Sequence, residues 1–157
     1  MIRKVRTYLA CAVLATAAGP TFAGSLDGDG IVTVKSAYPV AETIERIQKD
    51  VISKGITWFG IVDQAKLGNA AGNEVLPSTL LMFGNPALGT TFVTASQTAG
   101  LDWPVRVLVY ENAKGEVFAA YTDFAWIADR HGITTRDAEF AMATSVIQSV
   151  TASVLGD

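Results

Sequence analysis

Val40, Ile44, Ile47 and Val51 recur at intervals of three and four residues, a spacing that puts apolar side chains on one face of an α-helix. Glu42/Arg46 and Glu45/Lys49 support that helix from its polar side, and Gly55 stops it, so the pattern predicts a helix over Tyr38 to Lys54. A short β-rich run, Ile31 to Lys35, precedes it. Thr57 to Val62 is apolar on both alternating faces, Trp58/Val62 and Phe59/Ile61, which predicts a strand in the middle of a sheet. Ser78 to Phe83 has the same character and ends at Gly84-Asn85-Pro86, where Asn85 suits a helix N-cap and Pro86 the first helical position, giving a helix to about Ala95.

Val105 to Tyr110 and Val117 to Thr122 alternate as strands, and the connection Glu111 to Glu116 contains Gly115, able to take the positive φ of a hairpin bulge. Asp123 then caps a short helix carrying Phe124, Trp126 and Ile127 and closed by Gly132. The last helix is expected to start at Thr134, paired with Asp137 as in a capping box. Its stripe of Phe140, Ala143, Ile147, Val150 and Val154 suits a coiled-coil seam or a sheet-packing face. Two heptads without charged flanks favour the sheet. The order β-α-β-β-(α)-β-β-α-α predicts an α+β fold, an antiparallel sheet with helices packed on one face.

The first residues change what has to fold. Arg3, Lys4 and Arg6 form a basic region, Thr7 to Ala18 an uncharged, mostly apolar one, and Thr21-Phe22-Ala23 a small-residue cleavage pattern. Residues 1 to 23 therefore read as a secretory signal, too short in its apolar part to span a membrane, and the mature chain is expected to begin at Gly24 in the periplasm or outside the cell. Cys11 sits too early in that segment for lipid attachment. Residues 24 to 30 read as a flexible polar lead-in, and 31 to 157 as a single domain with no membrane span.

Removing the signal takes away three basic residues and the sole cysteine, leaving nine basic against fifteen acidic side chains, a charge of −6. Disulfides, thiol nucleophiles and cysteine-held metals are excluded from the mature chain. An acidic balance offers no field for nucleic acid, so none is expected as a partner. With 50% apolar residues, disorder is excluded too.

Candidate chemistry is sparse. His131, the sole histidine, falls at a helix C-terminus, where its ring could bond the last carbonyls as a cap or serve a functional role. One histidine cannot build a multi-histidine zinc site, and no metal or cofactor is expected. Asp63, Gln64, Asn85 and Asp123 lie at strand ends where loops could converge into a polar pocket, although Asp and Asn also have ordinary work there as caps. Asp27-Gly-Asp29-Gly begins like a calcium loop but has Ile31 at the fifth ligand position. Gly-x-Ser-x-Gly and phosphate-loop endings are missing. Trp58, Trp103 and Trp126 with Phe59, Phe83, Phe92 and Phe118 supply core, or the walls of an apolar cavity if sheet and last helix do not close, with Trp58 as its reporter.

Gly55 to Asp63, Leu76-Pro77-Ser78-Thr79 leading to Phe83-Gly84-Asn85-Pro86, Leu101-Asp102-Trp103-Pro104, Tyr121-Thr122-Asp123 and Ala128 to Gly132 together resemble the family called domain of unknown function 302. The resemblance covers about residues 31 to 155. It implies a β-α-β4-α order similar to a TATA-binding-protein-like repeat, and a homodimer. It implies no established reaction. The family pattern places a histidine after the aspartate that ends the second strand, and Gln64 stands there.

Three classes of function follow. The first is a non-catalytic exported binding or interaction domain holding a small apolar or amphipathic ligand at Trp58, Asp63, Gln64, Asn85, Pro86, Asp123 and His131. The second is an enzyme using Asp63, Asp123 and His131. The third is a structural or stress-related homodimer without a pocket.

Overall fold

The computed structural model describes residues 24–26 and 28–156; the expected signal segment lies outside the described residues. Six strands, β1 (Gly24–Leu26), β2 (Ile31–Lys35), β3 (Thr57–Asp63), β4 (Ser78–Gly84), β5 (Val105–Glu111) and β6 (Val117–Thr122), form one sheet in the order β1-β2-β6-β5-β4-β3, every neighbouring pair antiparallel. The helices are α1 (Val40–Ser53), α2 (Gln64–Ala70), α3 (Pro86–Ala95), α4 (Phe124–Arg130) and α5 (Asp137–Ala152), with a 3-10 helix at Gln97–Leu101. The architecture is the expected α+β one.

The core lies between one sheet face and the helices. Val34, Leu81, Val107, Val109 and Ala119 from the strands meet Ile47 and Val51 of α1 and Ile147 and Val150 of α5, all essentially without exposed surface. Strand alternation sends Leu80, Met82, Leu108, Tyr110 and Phe118 to the opposite face, where they are only partly buried. Tyr110 and Phe118 stack there with ring centroids 5.5 Å apart. Where α1 meets the C-terminus, Ser36 Oγ and Thr43 Oγ1 share a buried 2.6 Å hydrogen bond, and the Ala37 N–H donates to the Val154 carbonyl at 2.9 Å.

Four sequence expectations are corrected. The polar lead-in is not a flexible tail: Gly24–Leu26 pairs with Val32 to Val34, because β2 otherwise leaves a row of backbone groups at the sheet edge. Strand β3 is an edge strand, not a central one. Its second apolar face, Phe59 and Ile61, is 45% and 51% exposed, and a bulge between Trp58 and Gly60, with Gly60 at φ 139°, breaks its register with β4. Helix α2 carries no apolar stripe and buries no residue, so periodicity could not reveal it. Helix α5 starts at Asp137 rather than Thr134, because Arg136 takes a left-handed φ of 72° that no helix can include, and its start has no side-chain cap.

Candidate functional site

A cavity of about 400 Å³ opens where the C-terminal end of β4 meets α3 and α5. Phe83 and Val105 form its floor, Leu88 and Phe92 one wall, and Met142, Val146 and Ile147 the other. Phe124 and Trp103 close it, while Lys54, Asn85, Ser145 and Ser149 give it a polar rim. Phe92 is stacked 4.3 Å from Phe140 behind that wall, so the aromatic side is held rigidly.

Trp103 is built into the site by two glycines. A Cβ added at Gly89 would lie 1.7 Å from Trp103 Nε1, and one at Gly84 would lie 3.0 Å from it. The indole therefore rests where any larger residue would collide. Among the described residues, Trp103 Nε1 is the buried side-chain nitrogen or oxygen left without a hydrogen-bond partner. A desolvated donor of that kind costs about 1–3 kcal/mol until an acceptor meets it.

The polar residues singled out from the sequence do not converge. Asp63 Oδ1 accepts the Lys66 N–H at 2.8 Å and caps α2, and Gln64 Oε1 accepts the Ser78 hydroxyl at 2.9 Å. Both belong to the end of the sheet remote from the cavity. At the near end, Asn85 Oδ1 accepts the Ala87 N–H at 2.9 Å, with Pro86 at the first position of α3, and Asp123 Oδ1 accepts the Trp126 N–H at 3.0 Å, capping α4. Asn85 also lines the cavity. Trp58 stacks on Phe83 with centroids 6.2 Å apart and stands behind the cavity floor rather than in its lining.

His131 ends α4, but its ring does not bond the last helix carbonyls. Its side chain is 4% exposed and sits between Thr98 Oγ1, 2.9 Å from Nδ1, and Asp102 Oδ2, 2.6 Å from Nε2. Asp102, itself 3% exposed, also accepts from Arg106 Nη2 at 2.7 Å and from Arg130 Nη1 at 3.2 Å. This hub fastens the segment that carries Trp103 to the end of α4. Nothing in the sequence singled out Asp102 as its centre, since two of its partners lie 28 and 29 positions away. The Arg106 spacing of four residues was a signal, but on a loop it says little. Nearby, Tyr121 of β6 is 6% exposed; burial, and then the Asp123 charge, raise its phenol above the ordinary value of 10.0.

The fold and the site together define an antiparallel sheet covered on one face by helices, with an apolar cavity at one end. The chain belongs to the family Domain of unknown function DUF302, whose pattern matches residues 32–150. In solved structures the fold is similar to that of an uncharacterized conserved protein DUF302 from Bacillus stearothermophilus, with a TM-score of 0.65 at 17% identity, covering 80% of this chain and 95% of that one. The curated protein Fluoride-specific ion channel FluC 1 of Brucella suis biovar 1 (strain 1330) is 39% identical over 140 residues, 88% of this chain and 54% of that protein. Fluoride-specific ion channel FluC 2 of Brucella melitensis biotype 1 shows the same identity over 51% of its length. The chain thus spans about half the length of the curated relatives it matches. No helix among the described residues is long and apolar enough to cross a membrane.

Proposed function

We propose that this chain is exported and, as a homodimer, binds a small apolar or amphipathic molecule in the cavity between β4, α3 and α5 without transforming it. The observation that carries this reading is the cavity itself: about 400 Å³, walled by aromatic and aliphatic side chains and rimmed by a few polar groups. That is the usual form of a small-ligand site. Asp63, Asp123 and His131, the trio of the enzymatic alternative, are taken up by two helix caps and the Asp102 hub.

The neutral apolar probe N-phenyl-1-naphthylamine tests the reading. Its emission is expected to rise on the mature protein and to fail to rise on Val146→Trp, which fills the cavity from α5. Equal emission with both proteins, or none with the wild type, refutes it. Intact mass of the exported protein, expected to begin at Gly24, checks the compartment.

The names of the Brucella relatives favour a second reading, in which the domain works beside a fluoride channel as an extramembrane companion. A strain lacking this chain should then lose fluoride tolerance and regain it on complementation. Unchanged growth in fluoride ends that reading.

A further inference from the structure

The Asp102 hub holds more cationic charge than its carboxylate can balance. Arg106 and Arg130 both pair with Asp102, and guanidinium groups stay charged at every accessible pH. Among the described residues no other carboxylate lies within 4.0 Å of either one. At least one positive charge is therefore left over, on a mature chain whose overall charge is negative. A clasp needed only to hold the loop would be complete with one cation.

The geometry fixes how close the two cations stand. Arg106 Nη2 and Arg130 Nη1 lie 2.7 and 3.3 Å from the same oxygen, Asp102 Oδ1, and so no more than 6.0 Å from each other. Asp102 is buried, while both arginine side chains are 44% exposed, so each guanidinium pairs with Asp102 and still reaches solvent with part of its side chain. Arg130 is further held by the Trp126 ring, 5.5 Å from its guanidinium carbon. His131 braces Asp102 from behind with both ring nitrogens engaged. Two guanidinium groups held on one buried carboxylate, each with N–H groups to spare, are a usual recognition device for an oxyanion.

We propose that Arg106 and Arg130 form a binding site for a small oxyanion, a phosphate or carboxylate group. Its source is either a free anion or the head of an amphiphile, because a narrow crevice beside Asp102 and Arg106, which Arg130 does not line, shares Val105 and Phe124 with the apolar cavity.

The test titrates the mature protein with sodium phosphate against sodium chloride at equal ionic strength, following amide chemical shifts. Saturable phosphate-specific shifts are expected at residues 98–106 and 126–131. Arg106→Lys and Arg130→Lys keep a cation on Asp102, so the fold should survive, yet each should weaken phosphate binding by about tenfold because the planar fork is gone. Shifts no larger than those with chloride, or unchanged affinity in both variants, overturn the proposal. This arm does not need the cavity, so it fails independently of the proposed function. Dodecyl phosphate separates the sources: a head group is indicated if it binds more tightly than phosphate in the wild type and no more tightly in Val146→Trp, and a free anion if it never gains.

Discussion

Gly89→Ala tests the architecture of the cavity wall more sharply than removal of any large side chain. In an exposed helix the change would stabilise by about 1 kcal/mol through backbone entropy. At this position the new Cβ would lie 1.7, 2.2 and 2.4 Å from Nε1, Cδ1 and Cε2 of Trp103, where carbon atoms want about 3.5 Å. The indole must retreat by nearly two ångströms, and overpacking of this kind costs about 1–3 kcal/mol. A net loss of up to about 2 kcal/mol is expected, read as a melting temperature lowered by up to roughly 6 °C, together with a shift in tryptophan emission. The matched control is Gly100→Ala. Nothing lies within 4 Å of a Cβ there, so the same chemical change should be neutral or mildly stabilising. If Gly89→Ala melted at or above the wild type, the close packing of Trp103 against α3 would be refuted, and with it the account of the cavity wall.

Asn85→Ala removes the cap of α3 and should cost about 1 kcal/mol in thermal or urea unfolding. Asp102→Ala strands His131 beside two cations; since both arginines can rehydrate, a loss of about 2 kcal/mol is expected in the same assays. Tyr121 ionises at higher pH when folded than when unfolded, so its contribution is complete below pH 10 and is lost as pH rises above that value. The melting temperature should fall along this alkaline limb, and Tyr121→Phe should flatten the fall. Sedimentation at micromolar concentration should show a dimer, and a clean monomer would remove the homodimer from the proposed function.

Features written in neighbouring residues were legible. The stripe of α1, the Asn85-Pro86 start of α3, the β5–β6 hairpin and the Asp123 cap all depend on contacts within a few positions. Alternation also marked β3 correctly as a strand, but an apolar residue on each face says nothing of which neighbours arrive, and here one side of the strand meets none. The left-handed Arg136 left no local sign. At the site, an apolar cavity beside the last helix could be expected from the aromatic content, whereas its actual wall depends on Trp103 meeting Gly89 across a turn. Trp58 looked the better reporter because strand position was visible and depth was not.

The bulged edge of β3 limits how another chain could pair with this sheet. Past the break between Trp58 and Gly60, only Gly60 to Asp63 offers a regular run of backbone donors and acceptors, too short to template a long continuous ladder with another chain. Strand-by-strand growth is thereby checked at the very edge where Phe59 and Ile61 stand exposed. The apolar surface that remains is the half-covered face of Leu80, Met82, Leu108, Tyr110 and Phe118. In the homodimer proposed above, association through that face would be self-limiting, because two such faces brought together about a twofold axis satisfy each other and leave nothing for a third copy to join.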